Sequence, residues 1–275
     1  MTTFGVAGVN VDFGSRRALT DVSLDAPGGR VTAVVGGDGA GKSTLLRCLV
    51  GLIEPAVGTV RRPPKTQIGY MPSTSGTWRE LSVRENIEFV AHAYRLVGSQ
   101  LAARSGQLLD RAGLSGASDR LAGQLSGGMR QKLGFCLAML HDPELLVLDE
   151  PSTGVDAVSR IELWRLIAQA AAHGTAVVMA TTYLEEGERA AHVLVLDRGR
   201  ELVAGEPTAV LSSMEGSIVE VARPDAPDWA WRRGGTFHEW KPASAAMAGS
   251  TICPDLEDLV IVQMLRREHE LGVAR

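Results

Sequence analysis

Apolar positions along the chain first alternate with polar ones and later recur at helical spacing. Val9-Asn10-Val11-Asp12-Phe13 alternates, and Val22-Ser23-Leu24-Asp25-Ala26 does so again, which predicts two strands. Pro27-Gly28-Gly29 makes a turn before Val31-Thr32-Ala33-Val34-Val35, a short apolar run that predicts a buried strand. A glycine-rich loop follows, then a helix containing Leu45, Leu46, Leu49 and Val50. Gly58 to Met71 reads as a hairpin around Pro63-Pro64. From about Leu81 to Leu140 the pattern is helical, with Val83, Ile87, Val90 and Tyr94 on one stripe. Leu145-Leu146-Val147-Leu148 is a second fully apolar strand, Asp156 to Ala172 a helix and Ala176 to Ala180 a strand. Val193 to Leu196 and Glu201 to Ala204 finish a sheet around the Asp197–Arg200 turn. Beyond residue 214 the pattern predicts a short strand, an irregular stretch from Pro224 to Pro242, and a helix from about Asp255 to Glu268. Leu256, Leu259, Val260 and Met264 are expected to line one face of that helix.

Composition narrows the class. The chain has 275 residues, 45% hydrophobic and 22% charged, as in ordinary globular proteins. A net charge of −4 supplies no global basic field for nucleic acid, so no nucleic-acid partner is expected. Cys48, Cys136 and Cys253 are far apart and odd in number, which predicts buried thiols in a reducing compartment rather than disulfides or a zinc site. The start, Met1 to Val6, has no basic or long apolar region and does not read as a secretory signal. No run approaches the roughly 18 apolar residues of a membrane span. One of the longest, Phe135 to Leu140, fits a core helix, so any membrane role falls to a partner.

Two constellations carry chemistry. Gly36-Gly37-Asp38-Gly39-Ala40-Gly41-Lys42-Ser43, followed by Thr44, fits G-x-x-x-x-G-K-[ST] between a predicted strand and a predicted helix. Glycines let backbone N–H groups close around phosphates, and the helix N-terminus adds positive dipole. Lys42 is expected on the β/γ-phosphates of ATP, and the Ser43 hydroxyl on Mg²⁺. Asp149-Glu150 ends the apolar strand at Leu148, and such strand ends face the ligand crevice of open α/β sheets. Asp149 suits a Mg²⁺ contact through water, and Glu150 suits the base that orients the attacking water.

Leu125-Ser126-Gly127-Gly128-Met129-Arg130-Gln131 resembles the LSGGQ signature of ATP-binding cassette proteins, in an LSGGM form. Asp149 to Asp156 resembles the family's Walker B motif running into its D-loop, and the resemblance covers residues 4 to 210 or so. It implies an α/β phosphate-loop NTPase (RecA-like) core sheet, an antiparallel β-subdomain and an inserted α-helical signature subdomain over about 81–140. Residues 1–214 would form this nucleotide-binding domain, and 215–275 a small C-terminal extension with a strand and a terminal helix. By the same resemblance, Ser126, Gly127 and Gly128 close over the ATP of a second cassette, and Ser126 doubles as a helix cap. Asp156 belongs to the nucleotide-contacting set, and Phe13 falls where an aromatic stacks on adenine, a core aromatic being the alternative.

The sequence departs from the family at three places. Ser73 stands at the Q-loop glutamine, and Thr182 at the switch histidine. Ser is two carbons shorter than Gln, and Thr cannot offer a cationic group to a phosphate. Slow turnover and tolerated substitutions, with water filling the gap, both remain open. The stretch from Gly58 to Tyr70 is short, so the β-subdomain should be small. The combination is similar to ABC-2 type drug exporters, including the Pro254-Asp255-Leu256-Glu257-Asp258-Leu259 tail. It implies a peripheral ATPase subunit on the cytoplasmic face of the cell membrane, with a separate permease and a heterodimeric second cassette. A weakened ATP-binding half, an importer subunit, or a soluble cassette protein acting on nucleic acid or ribosomes are the alternatives.

Overall fold

A computed structural model describes residues 2–244 and 249–270, so Met1 and the last five residues of the expected extension lie outside the described residues. In chain order, β1 (Thr3–Phe13) and β2 (Arg16–Pro27) pair antiparallel across the Gly14-Ser15 turn. Next come β3 (Val31–Val35) and α1 (Lys42–Leu49), then β4 (Val57–Arg61) and β5 (Ile68–Met71). The helical block resolves into α2 (Val83–Ala93), α3 (Gly98–Arg111) and α4 (Gly127–Met139). It is followed by β6 (Leu145–Asp149), α5 (Ala157–Ala172), β7 (Ala176–Thr181), α6 (Leu184–Glu188), β8 (His192–Asp197), β9 (Arg200–Gly205) and α7 (Pro207–Ser212). The last segment holds β10 (Ser217–Val221), β11 (Ala230–Arg233), β12 (Thr236–Lys241), β13 (Ser250–Thr251) and α8 (Leu256–Glu270).

The central sheet has the order β5-β6-β7-β3-β8-β9, parallel from β5 to β8 with β9 antiparallel at the edge. Its strands β3, β6 and β7 are buried along their whole length because both faces are covered. Leu146 and Leu148 enter one core with Leu133 of α4, Leu163 of α5 and Leu259 of α8. Leu145 and Val147 enter the other, with Leu45 of α1, Val9 and Val22. Each such side chain stabilises the fold by about 1.5–3 kcal/mol. Helix α4 is buried on every side from Gln131 to Met139, and its second half, Leu133 to Met139, is apolar all round, as a buried helix requires. Helix α2 starts on a capping box: Ser82 Oγ accepts from the Glu85 N–H at 3.2 Å, and Glu85 Oε2 accepts from the Ser82 N–H at 2.7 Å.

Four expectations need correction. Residues 58–71 are not a hairpin: β4 joins the small sheet β2-β1-β4, while β5 joins the central sheet beside β6. Pro64 is extended at φ −53 and ψ 148, so the Pro-Pro pair carries the chain across rather than turning it back. Pro224–Pro242 is not irregular: β11 and β12 form a hairpin on Gly234-Gly235 within the sheet β11-β12-β10-β13. On α8 the buried face is Leu256, Leu259 and Val262, while Met264 is exposed. The helix is covered on two sides, and buried Asp258 faces Arg233 and His238 of the small sheet. Cys48 and Cys136 are buried, and burial pushes their thiols up to about 11 and about 12, but Cys253 is exposed.

Candidate functional site

The strand order β5-β6-β7-β3 sets four carboxyl ends side by side, and they lead to Ser73, Asp149-Glu150, Thr182 and Gly36. Residues scattered from Gly36 to Thr182 in the sequence thereby share one edge of the sheet, the edge where open α/β sheets bind ligands. A cleft of about 360 Å³ at this edge is lined by Phe13, Arg16, Ala18, residues 38–44 and Glu150. A larger hollow of about 940 Å³ lies at the opposite ends of the strands, around Gly28, Glu144 and Thr175, and is lined by none of the expected residues.

The phosphate loop is held from within. Gly41 caps α1 at φ 107, and a Cβ there would lie 2.7 Å from Leu19 Cδ2 and 3.1 Å from the Ala18 carbonyl. Only glycine fits, and no side chain caps the first N–H groups of α1. Lys42 is 5% exposed and its Nζ donates to the carbonyls of Gly36 at 2.8 Å and Gly37 at 3.1 Å. The same Nζ lies 3.1 Å from Glu150 Oε1. Ser43 Oγ donates to Asp149 Oδ1 at 3.0 Å. Burial pushes the Asp149 carboxyl above its ordinary range, the Ser43 hydrogen bond opposes this, and the Glu150 charge adds to the rise. Glu150 has φ 51, a left-handed backbone that is strained for a non-glycine residue, and its Oε2 accepts from Thr153 Oγ1 at 2.8 Å.

Other expected residues stand apart from the cleft. Ser73 and Thr182 are exposed at their strand ends and do not line it. Ser126 caps α4, accepting from the Met129 N–H at 3.2 Å. A Cβ on Gly128 would lie 2.4 Å from Ser159 Oγ, so glycine lets α4 and α5 start in contact. Asp156 caps α5 through Oδ1, which accepts from Val158 and Ser159 N–H groups at 3.1 and 3.0 Å. Phe13 is 51% exposed, which removes the core-aromatic alternative. Arg16 and Ala18 line the cleft unforeseen; the Gly14-Ser15 turn, which pairs Phe13 with Arg16, was the signal available.

The donors fit a magnesium nucleotide. The cleft volume falls in the usual ligand range of about 300–1,000 Å³. Among the described residues no group of three or more His, Cys, Asp or Glu could hold a metal by itself. Mg²⁺ typically needs only one or two protein oxygens besides phosphates, and Ser43 and Asp149, whose side chains meet at 3.0 Å, would supply them.

Fold and site together define an α/β phosphate-loop nucleotide-binding protein. Residues 19–153 match the family model described as ABC transporter. The chain is 39% identical over 209 residues to the probable multidrug ABC transporter ATP-binding protein YbhF of Escherichia coli (strain K12), covering 72% of this chain and 36% of that protein. It is 31% identical over 229 residues to the Nod factor export ATP-binding protein I of Paraburkholderia xenovorans (strain LB400), covering 79% and 75%. A solved ATP-binding subunit of an ABC transporter superposes with TM-score 0.69 at 27% identity, over 77% of this chain and 92% of that one. The chain belongs to the ABC transporter family, as one of its ATP-binding cassettes. It spans little more than a third of the length of YbhF. Among the described residues no helix is long and apolar enough to cross a membrane.

Proposed function

We propose that this chain binds and hydrolyses MgATP in the cleft around Lys42, as the ATP-binding subunit of a membrane exporter. The observation that carries this reading is the double contact of the phosphate loop with the acid pair, Ser43 to Asp149 and Lys42 to Glu150. Phe13 would stack on the base, and the N–H groups of residues 38–44 would hold the phosphates. Magnesium, when bound, would neutralise phosphate charge, held by Ser43 and Asp149. Glu150 gives up Lys42 to the substrate's terminal phosphate and then takes a proton from the attacking water. One relative named above is described as a probable multidrug ABC transporter ATP-binding protein and the other as a Nod factor export ATP-binding protein, which supports the exporter reading.

The working unit is a dimer of cassettes on a separate membrane permease, at the cytoplasmic face of the cell membrane. Exposed Ser126 and half-buried Gly127, which lies beside Gly154, would complete a partner cassette's site together with Gly128 at the start of α4, and Asp156 at the start of α5 would join the nucleotide-contacting set. The permease would dock beside Ser73, where Trp78 and Phe89 are 40% and 53% exposed with ring centroids 4.3 Å apart. Ser73 and Thr182 stand outside the cleft at positions where the family carries Gln and His, which favours a heterodimer in which this chain's own site is slow.

Lys42→Ala tests the assignment. It removes a charge-assisted contact worth roughly 1.5–3 kcal/mol, so ATP affinity by calorimetry should fall about tenfold or more. Unchanged affinity removes the phosphate loop from the site.

A further inference from the structure

Glu186, in α6, is 3% exposed and takes no part in the roles above. Its Oε2 accepts from Ser152 Oγ at 3.0 Å and from Thr181 Oγ1. Thr181 Oγ1 in turn accepts from the Tyr183 N–H at 3.0 Å. Among the described residues Glu186 has these two hydroxyl donors and no ion-pair partner, unlike its neighbour Glu185, which lies 3.5 Å from Arg160. Burying a carboxylate against neutral donors costs stability, so packing alone does not account for it.

What Glu186 joins is informative. Ser152 lies two residues after Glu150, and Thr181 directly precedes Thr182. Glu150 leaves β6 with φ 51, while its N–H donates to the Ala180 carbonyl at 3.0 Å. Such a left-handed conformation persists only where surrounding contacts over-determine it. Helix α6 is itself fixed from outside. Arg160 lies 4.9 Å over the Tyr183 ring, and Glu188 Oε1 accepts from the Leu256 N–H at 2.8 Å.

We infer that Glu186 is a positioning residue: its Oε2 clamps the turn carrying Glu150 to the end of β7, and thereby fixes Glu150 and Thr182 relative to each other. The inference rests on the proposed role of Glu150. Glu186 touches no substrate; it sets where the groups that do are held.

The test uses the full chain and four substitutions: Glu186→Ala, Glu186→Gln, Thr181→Val and Ser152→Ala. Glu186→Ala should lower kcat by about 10–100-fold, the scale of a misplaced reacting group, while the ATP dissociation constant stays within about threefold. Glu186→Gln keeps an oxygen for both hydroxyls and should hold kcat within about threefold of wild type. Thr181→Val and Ser152→Ala each break one arm and should fall between. Amide exchange provides a readout independent of turnover. The Tyr183 amide and the 150–153 segment should exchange about five- to tenfold faster in Glu186→Ala, as loss of one hydrogen bond implies. Parallel loss of ATP affinity, kcat and thermal midpoint in Gln and Ala alike would reduce Glu186 to a structural residue. Unchanged exchange and kcat in a folded Glu186→Ala would overturn the clamp outright. If the wild-type chain binds no ATP, the functional reading fails, and the exchange comparison still decides for or against the clamp.

Discussion

Glu150 has a side chain tied to Lys42 and Thr153 and a backbone in a costly conformation. Glu150→Gln keeps the shape and removes the base. ATP binding should persist, hydrolysis should drop by about 10²–10⁴, and size exclusion with ATP should show a trapped dimer. Wild-type turnover in this variant would assign the base elsewhere. At this scale the sequence is a good guide to Lys42, Ser43, Asp149 and Glu150, because each sits inside a motif whose spacing is dictated by phosphate geometry. Arg16, Thr153 and Glu186 are poorly legible. Their partners lie across a hairpin, one turn away, or in a segment 34 positions distant, and no local periodicity encodes such contacts.

The clearest lesson among the elements comes from the C-terminal sheet. Gly234-Gly235 between Trp231 and Phe237 is a two-residue hairpin signal, masked by the proline and tryptophan content of its surroundings. The sheet is tied to α8 and the residue before it by ions, Arg233 pairing with Asp255 and, at 2.9 Å, with Asp258, while within the sheet buried Glu239 accepts from Lys241 Nζ at 2.8 Å. Burial raises the Asp255 and Glu239 carboxyls, but these cations and nearby N–H groups outweigh it and hold both below their ordinary values. A depressed folded-state pKa contributes stability that is present above the unfolded-state pKa and is lost as pH falls through the folded one. Fluorescence of Trp229, Trp231 and Trp240 should therefore report loosening of this segment as pH drops below about 4. Arg233→Gln should weaken the segment at neutral pH and flatten that acid response; an unaltered acid profile would show that the pairs do not hold it.

At the scale of the whole molecule the proposed function divides the residues between two composite sites. Lys42, Ser43, Asp149 and Glu150, with Ser73 and Thr182 at the neighbouring strand ends, would serve the nucleotide this chain holds, and Ser126, Gly127 and Gly128 would serve the partner's. In an assembled heterodimeric transporter, Gly127→Asp should abolish most ATPase activity by setting a carboxylate against the partner's γ-phosphate. Glu150→Gln should cost much less there, since loss of one preorganised contact already slows a site by about 10²–10³. Near-complete loss from Glu150→Gln alone would show that Ser73 and Thr182 are tolerated.

By itself the sequence determined the phosphate loop, the acid pair and the buried strands β3, β6 and β7. Each of these follows from local rules: glycine geometry, helix dipoles and apolar runs that must be covered on both faces. Only the tertiary structure decided that β4 and β5 belong to different sheets, and that Lys42 meets Glu150. It also decided that the small C-terminal sheet docks through α8 onto α6, at Glu188. Those outcomes depend on strand order and on which distant partner fills each face. Both are settled by packing of the assembled chain, which no window of neighbouring residues contains.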